Sequence, residues 1–252
     1  MPIFLFTLIF QGCTPRKQQK ILFQTSTIDA LLKGVYDGDM TVGELRKHGD
    51  FGLGTVNCLD GEMIGLDGKF YHVRTNGKAY LLNDTTKTPF ADVVFFKPDT
   101  IFVLNDSINS YRQLEQYLNH YLPSLNLFYA IKISGTFDSI ETRSVPAQQQ
   151  PYAPLTEVVK NQTTFGFHNV KGTLVGFRSP AYAKGINVTG YHFHFLTRDR
   201  KAGGHLLSCK VHKATVEIEY LSGFTVQLPH THAFYDVNLG TDQTEAVKKV
   251  ER

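Results

Sequence analysis

The chain has 252 residues, of which 42% are hydrophobic, 19% charged and 12% aromatic, a length and balance that support one large or two small domains with a real core. This excludes a disordered chain, a collagen-like fibre and a coiled coil. The net charge of +3 is scattered among acids with no basic stripe, so no nucleic-acid partner is expected.

The chain opens with an almost wholly apolar run, MPIFLFTLIF over residues 1–10, followed by Gln11-Gly12-Cys13 and a basic stretch to Lys20. The run is too short for a permanent membrane span, which needs about 20 residues, but it matches the apolar region of a signal segment. A Gly-Cys pair just beyond it resembles a bacterial lipoprotein cleavage site with Cys13 acylated. Residues 1–20 are therefore read as a leader, with export, as a lipoprotein anchored at Cys13, as the expectation. Two features speak for the cytoplasmic alternative: no Lys or Arg precedes the run, and Phe10 stands where a smaller aliphatic residue is usual. The three cysteines, Cys13, Cys58 and Cys209, are too few and too far apart for a disulfide framework and lack the paired spacing of a structural zinc site.

Two short helices come first. Ser26 or Thr27 can cap residues 28–32, and Thr41 can cap residues 42–47, with Glu44 three positions on as in a capping box. The hydrophobic period then changes to two. Asp60-Gly61 and Asp67-Gly68 sit between short apolar runs, so residues 51–75 read as a three-stranded meander with Glu62 just after its first turn. Strands follow at 79–82, 91–96 and 101–104. Ile108, Tyr111, Leu114, Leu118 and Tyr121 recur at helical spacing behind Asp106 or Ser107 as cap. A strand at 127–135 leads to VPAQQQPYAP at residues 145–154, which has no periodicity and marks the boundary or crossing between two halves. The second half reads as strands at 164–168, 172–177, 186–196, 205–211, 215–221 and 224–227, and the tail from residue 242 as a short helix. The expected fold is α+β and sheet-dominated: an N-terminal mixed-sheet subdomain (21–150) and a C-terminal metal-binding β subdomain (151–252) whose tail folds back over the site.

Ten histidines include one cluster. Residues 191–195 read Tyr-His-Phe-His-Phe, and on a strand residues two apart project to one face, so His192 and His194 point together. A polar turn containing Asp199, Arg200, Gly203 and Gly204 reverses the chain, and a hairpin of this length can bring His205 opposite the pair. Three converging imidazoles leave a coordination position open, as catalytic zinc sites do. His230 and His232 share the spacing but follow Pro229 at a strand end, and read as loop or rim residues. His48, His72, His120, His168 and His212 have no such grouping.

At these residues the chain resembles the α-acetolactate decarboxylases. The resemblance is carried by LVGF (174–177), GINVTGYHFHF (185–195) and AGGH (202–205), by VYDGDMTVGEL (35–45), HGDFGLGT (48–55) and LDGEMI (59–64), and by ETRSVP (141–146) with PYAPL (151–155). It extends over residues 22–251. It implies a zinc-dependent lyase that removes CO2 from (S)-2-acetolactate to give (R)-acetoin, in acetoin biosynthesis. It places the metal ligands on His192, His194 and His205, the catalytic polar groups on Glu62, Arg143 and Glu251, and Thr55 among the residues lining the site. A homodimer is expected, since edge strands in such sheets often pair between copies.

The chemistry suits these residues. Decarboxylation leaves two electrons on carbon, which a Lewis-acidic cation held by three neutral imidazoles can accept. Arg143 offers a planar fork for a carboxylate or a developing oxyanion. Either Glu62 or Glu251, held at a matched pKa by burial, can deliver the proton that fixes the product's configuration. Two other readings exist: an H-x-H oxygenase or isomerase of the cupin type, and a binding domain without metal. The first wants a glutamate three or four residues after the second histidine, where this chain has Thr197 and Arg198.

Overall fold

The structure is a computed structural model that describes residues 20–104 and 107–251. Cys13 and the rest of the expected leader up to residue 19, together with Asp106, lie outside the described residues. In chain order the strands are β1 (Ile21–Thr25), β2 (Met40–Thr41), β3 (Phe51–Gly54), β4 (Glu62–Leu66), β5 (Lys69–Val73), β6 (Ala79–Leu81), β7 (Lys87–Thr88), β8 (Ala91–Val94), β9 (Thr100–Leu104), β10 (Phe128–Ser144), β11 (Thr163–Ser179), β12 (Gly190–Thr197), β13 (Gly203–Leu221) and β14 (Gly223–Gln227). The helices are α1 (Ile28–Leu32), α2 (Val42–Leu45), α3 (Tyr111–Asn119), α4 (Leu155–Val158), α5 (His232–Asp236) and α6 (Thr244–Glu251).

The fold is α+β and sheet-dominated, as expected. One sheet has seven strands in the order β14-β1-β8-β3-β4-β5-β6, and β2 and β7 form a separate pair. Its mixed character comes from one parallel pairing, β1 with β14; the pairings inward from β1 are antiparallel. The second sheet, β10-β11-β12-β13-β9, is antiparallel throughout. Because β10 also pairs with β13, strands β10 to β13 close into a ring. Bulges at Thr136/Phe137 and Glu141/Thr142 let the long strands bend around it.

Closure buries both faces of β10. Ile131, Ile133 and Phe137 point into the ring with Phe193, Phe195 and Val216, where Leu114 and Leu118 of α3 cover them. Ala130 faces the other way, into the layer between the sheets with Leu53, Ile64, Val73 and Phe177. The local signals act as anticipated: Thr27 caps α1, Thr41 and Glu44 form a complete capping box on α2, and Asp67-Gly68, both at positive φ, turn β4 into β5.

Three expectations need correction. The strands read separately at 164–168 and 172–177, and at 205–211 and 215–221, are single strands β11 and β13. Their apparent breaks, around Asn169 and around His212-Lys213, are exposed polar stretches of continuous ribbon. Helix α3 starts at Tyr111 under a Ser110 cap, not at Ile108 behind Asp106 or Ser107, because Ile108 exchanges backbone hydrogen bonds with Val211. Finally, sheet membership does not divide at residue 150. Strands β9 and β10 belong with β11–β13, and β14 returns to the first sheet beside β1. The proline- and glutamine-rich segment is a crossing whose ends, Val145 and Leu155, pack with Ile28, Leu59 and Val250.

Candidate active site

On β12 the alternation sends Tyr191, Phe193 and Phe195 into the ring core and His192 and His194 to the opposite face. The return through β13 sets His205 directly opposite His194. Gly204 makes this approach possible: its φ is +141°, and a Cβ there would lie 2.4 Å from the Arg143 carbonyl oxygen. The three ring centroids are 5.0 to 5.3 Å apart, and one nitrogen from each ring lies within 4.8 Å of the others. His192 Nε2 is 3.2 Å from His205 Nδ1. His194 Nδ1 is 2.9 Å from the Met63 carbonyl oxygen, a contact that requires Nδ1 to carry the proton and leaves Nε2 with a free lone pair.

Two carboxylates face the rings from different elements. Glu62 opens β4 after Gly61, whose φ of +71° and whose approach to the Val73 carbonyl (a Cβ would stand 2.1 Å from it) require glycine. The turn is pinned from three sides: Thr55 Oγ1 donates to Gly61 O at 2.7 Å, Gly61 N donates to Val145 O at 3.1 Å, and buried His72 Nε2 bonds the Asp60 carbonyl. Glu62 Oε2 thereby sits 3.5 Å from His194 Nε2. Glu251, in the last turn of α6, places Oε2 3.4 Å from His192 Nε2 and 3.8 Å from His205 Nε2. Helix α6 is seated by Val250, buried among Ile28, Leu31 and Leu155, which sets Glu251 beside the histidines. Arg143 on β10 stands in register opposite His205, and its Nη1 donates to Gln162 Oε1 at 3.2 Å.

Desolvation dominates the electrostatics. Burial pushes Glu62 and Glu251 up to about 7, opposed in both by the Arg143 guanidinium. Burial lowers His192 to about 3 and holds His194 and His205 well below the usual imidazole range, with Arg143 adding to each. The three rings are therefore neutral at pH 7, the state in which imidazole binds metal. Four buried atoms here have no hydrogen-bond partner: Arg143 Nε, His192 Nδ1, His205 Nε2 and Glu251 Oε2. The donor set, three neutral nitrogens with unpaired atoms around them, fits a divalent cation.

The cavity they enclose measures about 40 Å³, and Leu31, Leu59, Phe90, Val145 and Leu155 close its apolar side. Every anticipated site residue lines it: Thr55, Glu62, Arg143, His192, His194, His205 and Glu251. His230 and His232 stay apart, in and before α5, where His230 Nδ1 lies 3.1 Å from Tyr235 OH. Sequence reasoning missed two supporting side chains. His72 holds the turn that presents Glu62, and its only signal was a place on β5 opposite Met63. Gln162 holds Arg143 and carried no signal at all.

The profile of the alpha-acetolactate decarboxylase family matches residues 22–241. This chain belongs to that family. An alpha-acetolactate decarboxylase of Methanosarcina mazei is 48% identical over 232 residues, covering 92% of this chain and 80% of the relative. The crystal structure of alpha-acetolactate decarboxylase from Bacillus subtilis strain 168 superposes with a TM-score of 0.89 at 43% identity, covering 92% of this chain and 99% of that one. A Staphylococcus aureus protein of unknown function, similar to alpha-acetolactate decarboxylase, superposes at 0.85 with 32% identity, covering 91% of this chain and 98% of that one. The enzyme is accordingly a carboxy-lyase acting on a small molecule. Glu251 lies beyond the matched residues, so its place in the site rests on the geometry of α6.

Proposed function

We propose that the enzyme carries out zinc-dependent decarboxylation of (S)-2-acetolactate to (R)-acetoin and CO2, the acetoin-forming step. The observation that carries this reading is the trio of buried, neutral imidazoles, two of them with an unpaired nitrogen (His192 Nδ1 and His205 Nε2), facing two carboxyl groups that burial keeps protonatable near pH 7. A zinc ion held by His192, His194 and His205 supplies a Lewis acid for the electron pair left on carbon as CO2 departs. Zinc is favoured because three neutral nitrogen donors suit it and leave its full charge in place.

The protein's own groups do the rest. Arg143 binds the substrate carboxylate with its guanidinium and orients it for departure. The apolar wall of Leu59, Phe90, Val145 and Leu155 takes the methyl groups and excludes water. Glu62 or Glu251, approaching from different elements, hands a proton to one face of the resulting carbanion, and a donor fixed on one side sets the product's configuration. Thr55 lines the cavity, and its hydroxyl also steadies the turn that presents Glu62.

Incubation with racemic acetolactate tests the reading: (R)-acetoin and CO2 should form without O2, cease after chelation and return with zinc. An O2 requirement would indicate an oxygenase, and no product a binding domain. For the cell, we propose export with acylation at Cys13 and a homodimer in solution. Membrane fractionation of a Cys13→Ser variant and light scattering check the two.

A further inference from the structure

We propose that Gln162 is a positioning residue that aims Arg143 while leaving its charge free for an anionic substrate. The inference rests on the reading of Arg143 as the carboxylate-binding group. A buried guanidinium ordinarily takes a carboxylate partner, because an unpaired buried charge is costly. Arg143 is buried on β10, yet among the described residues no acid stands within ion-pair distance of it. Its charge does reach Glu62 and Glu251, but neither forms a bond to it. Its side-chain partner is instead a neutral amide, Gln162 Oε1, 3.2 Å from Nη1, while Nε is buried without any partner.

Gln162 is well placed to act as a fixed post. It ends the 3-10 turn Val159–Asn161, where its backbone N–H donates to the Val159 carbonyl at 3.2 Å, and the next residue begins β11. A carboxylate at this position would also hold the fork, but it would neutralise the charge that must attract the substrate. The amide supplies orientation without neutralisation.

The test measures kcat and KM for 2-acetolactate, together with bound metal, in Gln162→Met, Gln162→Glu, Arg143→Met and the Gln162→Met/Arg143→Met double variant. Losing the anchor should raise KM about tenfold, the scale of a hydrogen bond to a charged group, with kcat nearly kept and metal content unchanged. Gln162→Glu keeps the acceptor and should still raise KM, because it cancels the charge. In the Arg143→Met background, Gln162→Met should have no further effect. Wild-type KM in Gln162→Met or Gln162→Glu, with Arg143→Met impaired, would overturn the inference and leave the role of Arg143 standing. Additive losses would overturn it equally. Full activity in Arg143→Met would remove the underlying reading and the inference with it.

Discussion

Two buried polar clusters lie between the sheets of this molecule, and they are built on opposite rules. In one, Asn187 Nδ2 reaches both carboxylate oxygens of Asp92 at 3.0 Å and Gln24 Oε1 at 2.6 Å, while Ser179 Oγ donates to Asn187 Oδ1 at 3.1 Å. Gln24 Nε2 donates in turn to the Ser26 and Ile186 carbonyls, each at 2.7 Å. Every side-chain polar atom of Gln24, Asp92 and Asn187 has a partner, and the cluster ties β1 and β8 to the loop that leads into β12. The other cluster lines the cavity beside His192, His194 and His205. Of the six buried side-chain polar atoms without a partner among the described residues, four belong to it. An unpaired buried group costs about 1–3 kcal/mol, so a concentration of them marks a place prepared for something else to bind. The satisfied cluster holds the fold; the unsatisfied one is where we propose that metal and substrate bind.

That contrast sets the expected effects of breaking each cluster. The largest is on turnover: replacing any one of His192, His194 or His205 by alanine should lower kcat by at least about 10³-fold with loss of bound metal. In the metal-free protein, His192→Ala and His205→Ala should lower the urea midpoint less than an Asn187 variant does, since each removes an unsatisfied nitrogen; a stability loss as large as that of an Asn187 variant would break the comparison. Deleting residues 242–252 removes Glu251 and α6 from the cavity wall, and kcat should fall about 10²-fold or more while metal content stays near stoichiometric. A truncated enzyme of full activity would place proton delivery elsewhere.

The satisfied cluster should respond in stability. Asn187→Leu strips Asp92 of its donor and should cost about 3 kcal/mol in urea unfolding. The same cluster should also show a pH slope. Burial pushes Asp92 up to about 7, opposed only by the Asn187 hydrogen bond. Its folded-state value thus lies above the unfolded one, and the native state holds the extra proton between them. The stability tied to this proton is complete below about pH 4 and is lost as pH rises through about 7, at up to about 1.4 kcal/mol per pH unit. Asp92→Asn should flatten that part of the profile, and an unchanged slope would assign it to another group.

The parts of this arrangement that could be read from the chain are those set by local geometry. Period two puts His192 and His194 on one face, Asp67-Gly68 fixes a hairpin, and Thr27 and Thr41 cap helices wherever they fold. Strand continuity was hidden because β11 and β13 carry polar stretches at 168–169 and 212–213 on an exposed face, which resemble turns in a linear reading. Closure of the ring joins β10 to β13, pairing Phe128 with Leu221, a contact that no local period reports. Gln162 shows the same limit at the site, where only tertiary proximity connects it with Arg143. Glu251 came from family resemblance, and the apolar residues Val247 and Val250 of α6 are what seat it.

His192, His194 and His205 are proposed together to hold a catalytic divalent cation. Anomalous diffraction across the zinc absorption edge, recorded on crystals of protein whose acetoin-forming activity has been verified, tests it directly. A single strong peak is expected among these three rings, at an occupancy that tracks specific activity as metal is removed. Fully active crystals with no anomalous signal at any metal edge between the rings would contradict it.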